Sequence, residues 1–313
     1  MAFGESAPCI DPGISGSELL GVNLSDLHSK LALGTAQLGL TYGINNQQGQ
    51  PTLEQSFAIL DATFNAHITM LDTADTYGES IGVIAAYLQK HKSLHAQVVS
   101  KFIADDEPLT EKLDRNLKLL GVPYLYGYLF HRFADYGREE VKNNLLRLRN
   151  DGKIKHIGVS VYGTVELKSV IEDPDIDIIQ LPINPFDFSP VKKGLLAEAK
   201  ANGKEIHGRS VFLQGLFFRA PESLTGNLAG LKDPLLAFQQ IIRKHGIDIR
   251  QACINYALHS NLIDKVIIGI EAAAQLMENI QAIRINFDPQ LAKELESIEI
   301  PNPALINPSS WKP

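Results

Sequence analysis

Short apolar runs rich in Val, Ile and Leu alternate with longer stretches of helical period along nearly the whole chain, and this alternation leaves few folds open. The runs are LALG (31–34), ITML (68–71), VVSKF (98–102), YLYGYLF (124–130), IKHIGVSV (154–161), IDIIQL (176–181), EIHGRSVF (205–212) and KVIIGI (265–270), eight candidate strands. Helix candidates separate them: LEQSFAILDATFNA (53–66), SIGVIAAYLQKH (80–91), LTEKLDRNLKLLG (109–121), REEVKNNLLRLRNDG (138–152) and KKGLLAEAKANG (192–203). Several close on the glycine that suits a helix C-cap. Strands apolar throughout belong in a parallel sheet covered by helices, and eight βα units in about 280 residues predict a single (β/α)8 TIM barrel. A doubly wound sheet is the alternative. No linker rich in Pro, Gly or Ser splits the chain, so the expected division is an N-terminal extension over 1–30, one barrel over 31–300 and a proline-rich tail over 301–313.

Composition narrows the class of partner. A chain of 313 residues, 44% hydrophobic, can bury a large core, and a net charge of −7 without a run of Lys or Arg argues against nucleic acid or an anionic membrane. The N-terminus has no basic region followed by an apolar one, and no apolar span approaches the length of a membrane helix; a cytoplasmic protein is expected. Cys9 and Cys253 lie far apart and form no CxxC, which marks them as ordinary thiols. His91 and His95 have metal-pair spacing but straddle a helix end leading into the third strand, so they read as surface histidines and no metal is expected.

Polar residues interrupt the strand ends, and in a parallel barrel those ends share the face where active sites are built. Asp72, Lys101, His131, Ser160, Gln180 and Arg209 follow one another at steps of 29, 30, 29, 20 and 29 residues, about one βα unit each. Six reactive side chains are thereby expected at one mouth.

The stretches LGTAQLG (33–39), LDTADTYG (71–78), VVSKF, LFH (129–131), GKIKHIGVSVY (152–162) and IIGIEAAAQLMEN (267–279) resemble the aldo/keto reductases, over roughly residues 31–300. That family orders an Asp, a Tyr five residues later, a Lys at the next strand end and a His at the one after, and here these are Asp72, Tyr77, Lys101 and His131. The resemblance implies hydride transfer between a nicotinamide and the carbonyl or alcohol of a small aldehyde, ketone or sugar-like substrate. Negative charge then builds on the carbonyl oxygen and needs a donor that can surrender its proton, which is Tyr77. Lys101 is expected to lower the phenol's pKa, Asp72 to keep Lys101 charged, and His131 to orient the carbonyl as a neutral imidazole. Asp75 and Glu79 are expected only to start the next helix. A nicotinamide-binding regulatory or structural subunit with little turnover is the second class of function kept open.

For the cofactor, the resemblance implies that Ser160 and Gln180 bind the carboxamide, with Gly34, Thr35 and Asp72 at the floor beneath it. Val161 stands where many members have Asn. Arg209, Ser210 and the stretch from Leu216 to Arg219 are expected along the pyrophosphate, and Gly269, Gln275, Glu278 and Asn279 at the adenosine. A GxGxxG fingerprint is absent, as a barrel reductase requires. Many NADP-binding members carry Lys and Arg where this chain has Gly269 and Gln275, and Glu271 adds an acid. Arg219 is the cation expected to compensate, and NADP is expected ahead of NAD.

The substrate is expected to be a small-molecule carbonyl compound. Its pocket walls are expected from Tyr42, Phe133, Tyr136, Phe186 and Phe188 beside Asn45, Asn46 and Asn184. The loop 213–235, with Phe217 and Phe218, reads either as a lid or as packed surface, and Trp311 either packs on the barrel side or reaches the mouth.

Overall fold

A computed structural model describes residues 23–46 and 48–311. Strands β1 (Leu31–Gly34), β2 (Met70–Asp72), β3 (Gln97–Phe102), β4 (Leu125–Phe130), β5 (Ile154–Ser160), β6 (Ile178–Pro182), β7 (Glu205–Arg209) and β8 (Lys265–Gly269) close into a barrel in sequence order. Every neighbouring pair is parallel, including β8 against β1. The expected (β/α)8 architecture is the observed one.

The surrounding helices are α1 (Leu53–Asn65), α2 (Ser80–Lys90), α3 (Leu109–Leu120), α4 (Glu139–Asn150), α5 (Thr164–Ile171), α6 (Pro190–Ala201), α7 (Lys232–Lys244), α8 (Ile249–Leu258), α9 (Ala273–Gln281) and α10 (Pro289–Glu296). Their boundaries follow local chemistry. Thr52 and Gln55 form a capping box before α1, and Asp248 and Gln251 form one before α8, satisfying amide groups that the first helical turn leaves unpaired. Gly121 ends α3 in the left-handed conformation at φ 69°, as its sequence position suggests.

Strand side chains alternate between two cores, because successive residues of a strand point to opposite faces. Ala32, Met70, Val99, Leu129, Ile178 and Ile267 fill the barrel interior, while residues such as Leu31, Leu71, Val98 and Phe130 pack outward into the larger core. Both faces are buried, which is why the strands read as continuous apolar runs.

The flanking segments resolve the open alternatives. Residues 1–22, with Cys9, lie outside the described residues, but Leu24–Ser29 form a short helix whose Leu27 is buried, and Lys30 Nζ donates to the Leu258 and Ser260 carbonyls. Cys253 is buried in α8. In the long loop after β7 the two phenylalanines part company. Phe217 is fully buried against Phe186 and Phe238, whereas Phe218 is exposed on the cavity rim. The tail forms short 3-10 turns, and Trp311 packs against the barrel's core with its indole N–H on the Leu305 carbonyl. Among the described residues, no helix is long and apolar enough to cross a membrane.

One close approach joins the first two βα loops. A Cβ on Gly39 would overlap the Tyr77 carbonyl oxygen and lie 2.5 Å from the Ser80 nitrogen, and a Cβ on Gly78, at φ 51°, would overlap the Gly39 carbonyl oxygen. Gly39→Ala should therefore destabilise the protein by roughly 1–3 kcal/mol through overpacking against backbone. Gly163→Ala, where nothing lies within 4 Å of the added methyl, is the control. Urea unfolding of both variants checks this; equal midpoints would show that the contact at Gly39 relaxes without cost.

Candidate active site

The site grows directly out of the barrel's two-residue period. One step of two residues beyond the interior side chains Ala32, Met70, Val99, Leu129, Ile178 and Ile267 come Gly34, Asp72, Lys101, His131, Gln180 and Gly269. Ser160 and Arg209 end β5 and β7 in the same layer. Above it opens a cavity of about 560 Å³. Its wall includes Gly34, Thr35, Asp72, Tyr77, Lys101, His131, Ser160, Arg209, Ser210, Gly269, Gln275 and Asn279, so twelve of the expected site residues meet there. Gln180 lies fully buried beneath the floor.

At the centre is a buried ion pair. Lys101 Nζ donates to Asp72 Oδ1 at 2.6 Å and to the Thr73 carbonyl at 2.9 Å, and Gln180 Nε2 donates to Asp72 Oδ2 at 2.8 Å. The ammonium lies 5.1 Å from the centroid of the Tyr77 ring, and the Tyr77 and His131 rings meet edge to face at 5.7 Å. Thr76 Oγ1 stands 3.1 Å from His131 Nδ1.

Burial dominates the protonation equilibria. It pushes the Tyr77 hydroxyl above the ordinary phenol value, with the Asp72 charge adding to the effect and Arg209 opposing it. The expected lowering by Lys101 is thus not what this geometry produces: loss of water dominates, and Arg209 is the cation that opposes it. Burial also draws Lys101 below the usual ammonium value, against the pull of Asp72, and lowers His131 to about 4, with the Lys101 charge acting in the same direction.

Asp75 departs from its expected role. It lies short of the α2 start, its carboxylate accepting from Asn116 Nδ2 at 2.9 Å and Tyr128 Oη at 3.4 Å while its amide donates to the Lys101 carbonyl. It ties the loop carrying Tyr77 to α3 and β4, and burial raises its pKa to about 6. Glu79 does occupy the N-cap position of α2, without a side-chain cap bond.

At the far end of the cavity several expectations need correction. Arg219 does not line the wall: its Nε donates to Ser223 Oγ. Leu216 and Phe217 are buried, so of the expected stretch only Phe218 lines the wall, together with residues 210–212 and 214–215. Glu278 faces Arg250 in an ion pair rather than the cavity, and Gln275 Oε1 accepts from the Glu271 amide. Arg250 itself lines the cavity, its guanidinium 5.2 Å from the Phe218 ring centroid. A signal for it existed: D-I-R-Q is a capping box, and barrel helices start on the face where strands end. Of the expected walls, Tyr42 and Asn45 line the cavity. Phe186 and Phe188 are core residues, Phe133 and Tyr136 meet in a tilted ring pair and do not line the cavity, Asn46 closes a turn onto Tyr42 and Gly49, and buried Asn184 bonds the Ser210 carbonyl. Tyr162, Phe212 and Phe218 take their place.

Comparison with known proteins agrees with this architecture. The chain is 24% identical to an L-glyceraldehyde 3-phosphate reductase of Escherichia coli K12, covering 87% of this chain and 89% of that protein. It is also 24% identical to the aldo-keto reductase str7 of Strobilurus tenacellus, over 86% and 89% of the two chains. The crystal structure of PA4992, a putative aldo-keto reductase from Pseudomonas aeruginosa, superposes with a TM-score of 0.60 at 18% identity, covering 85% of this chain and 90% of that one, which supports the fold. The sequence profile of the Aldo/keto reductase family matches residues 30–300, and the chain belongs to that family.

Proposed function

We propose that this protein is a nicotinamide-dependent carbonyl reductase in which Tyr77 delivers the proton. The observation that carries the reading is the convergence of Asp72, Tyr77, Lys101 and His131 on one cavity, around an ion pair of 2.6 Å. Chemistry with a phenol needs the proton present at neutral pH, and burial of Tyr77 ensures it. The alkoxide that develops on a carbonyl oxygen is a far stronger base than phenolate, so a phenol of raised pKa still gives up its proton to it. Lys101, beneath the Tyr77 ring, offsets the negative charge left behind, and Asp72 holds Lys101 in place. His131 stays neutral, and in the tautomer whose Nδ1 accepts from the Thr76 hydroxyl its Nε2–H orients the carbonyl oxygen.

A nicotinamide dinucleotide suits the remaining wall. Gln180 Oε1 is buried and finds no hydrogen-bond partner among the described residues, and Gln180 pairs in register with Ser160, so a carboxamide N–H beside Ser160 would meet a waiting acceptor. Gly34 and Thr35 form the floor there, Ser210 continues along the wall, and Gly269, Gln275 and Asn279 lie at the far end. Bound there, a reduced nicotinamide supplies the hydride. Arg250 replaces Arg219 as the cation for a 2′-phosphate, which keeps NADPH ahead of NADH.

Three measurements test this reading. Tyr77→Phe should slow single-turnover hydride transfer by roughly 10²- to 10⁴-fold with cofactor affinity nearly retained; a variant keeping more than about a third of the rate would remove Tyr77 from the role. Arg250→Ala should weaken NADPH binding by about tenfold or more while NADH changes less, as read by cofactor fluorescence; equal losses for both would detach Arg250 from the phosphate. For His131 the folded pKa of about 4 lies below the ordinary His value near 6.5. The ring therefore stays neutral from pH 8 to 5, and its stability cost grows as pH falls from about 6.5 towards the folded pKa, where the unfolded chain binds the extra proton. NMR of the His131 ring, assigned with His131→Gln, should show no titration above pH 5; a midpoint near 6.5 would contradict the burial account.

A further inference from the structure

One cation in the cavity has no counter-charge. The Arg209 guanidinium, half-buried at the end of β7, forms no ion pair among the described residues. Its nitrogens make only long contacts: 3.4 Å to Ser160 Oγ, 3.4 Å to Ser210 Oγ and 3.5 Å to the Val161 carbonyl. A charge-assisted hydrogen bond runs about 2.7–2.9 Å, so these contacts aim the group without satisfying it. The guanidinium lies 4.3 Å from the centroid of the Tyr162 ring, and stacking of that kind leaves the in-plane N–H edge available.

The carboxylates nearby do not answer it. Both Asp72 oxygens are taken, by Lys101 and by Gln180, and Glu271, the other carboxylate on the cavity wall, forms no ion pair with Arg209. Arg209 sits close enough for its charge to act on Tyr77, Lys101 and His131, at the reacting end of the cavity rather than at Arg250's end. The resemblance implied Arg209 along the pyrophosphate, but its contact with Ser160, the residue proposed for the uncharged carboxamide, and its action on Tyr77 and His131 place the guanidinium at the nicotinamide end. A lone guanidinium in a partly dry cavity is costly unless an anion arrives with the ligand.

We propose that Arg209 anchors an anionic group, a carboxylate or a phosphate, carried by the carbonyl substrate itself. This rests on the reductase reading above and names its substrate class: acidic or phosphorylated aldehydes and ketones in preference to neutral ones. The planar fork of Arg matches both oxyanions, and a guanidinium without an ion-pair partner at the reacting end of the cavity gives an anion a specific place to dock.

Matched substrate pairs test it. For the carboxylate, 4-carboxybenzaldehyde is compared with its methyl ester; for the phosphate, glycolaldehyde phosphate with glycolaldehyde. Wild type should favour at least one anion over its neutral partner by tenfold or more in kcat/KM, and the two pairs show which oxyanion the site takes. Arg209→Met should shrink that preference about 10- to 100-fold, chiefly through KM, as loss of a charge-assisted bond requires. Arg209→Lys should recover part of it. Preference absent in wild type, or unchanged in Arg209→Met, overturns the proposal; so does a loss of NADPH affinity larger than the loss of anion preference, which assigns the guanidinium to the cofactor. If no carbonyl compound is turned over, the reductase reading fails. The anchor is then judged by calorimetric titration with 4-carboxybenzaldehyde and glycolaldehyde phosphate: binding lost in Arg209→Met supports it, and no binding of either by wild type overturns it.

Discussion

The salt bridge between Lys101 and Asp72 is the contact on which the rest of the site stands. Both side chains are almost wholly removed from water, and an unpaired charge in that position would cost several kcal/mol. The pair therefore acts as one unit. It ties β3 to β2, Gln180 extends it across the barrel to β6, and the Thr73 carbonyl on Lys101 Nζ fixes the first residue of the loop leading to Tyr77. Three strands and a loop are aligned by one cluster of polar atoms, directly above an interior layer that is otherwise apolar.

The same removal of water sets the protonation states. It holds the proton on Tyr77, takes it from His131, and loosens it on Lys101, three shifts with one leading cause. A phenol kept protonated beside an imidazole kept neutral is the combination that proton donation and carbonyl orientation call for. Asp75 contributes from behind, where its bonds to Asn116 and Tyr128 brace the loop against α3 and β4. Close contact between Gly39 and Gly78 braces it from the β1 side.

Across the cavity, the loops after β1 and β7 reach each other. The Ile44 amide donates to the Gln214 carbonyl at 3.2 Å, Asn45 Nδ2 to the Gly215 carbonyl at 2.6 Å, and Gln214 Nε2 to Tyr42 Oη at 3.0 Å. Ser210, Leu213 and Gln214 adopt left-handed backbone that non-glycine residues seldom take. Strain of that kind persists only where surrounding contacts over-determine the path, and here it shapes the backbone that borders the cavity.

The barrel and the polar layer at its mouth were legible in the amino-acid sequence because both depend on a local rule. Side chains alternate along a strand, so a polar residue just past an apolar run must face the mouth, and Asp72, Lys101, His131, Ser160 and Arg209 obey this whatever their neighbours are. Tyr77 was legible only through the family's spacing. The loops follow no such period. Which aromatic faces the cavity, Phe218 rather than Phe217, depends on a pocket formed by Phe186 and Phe238, and the place of Gln214 depends on Tyr42, 172 positions away. Arg219 and Arg250 are equally plausible cations in one dimension; only the packing of α8 against the barrel brings one to the cavity while the other bonds Ser223 on the loop. The sign of the Tyr77 shift likewise awaited the tertiary structure, since burial is a property of everything packed around a group and no stretch of chain encodes it alone.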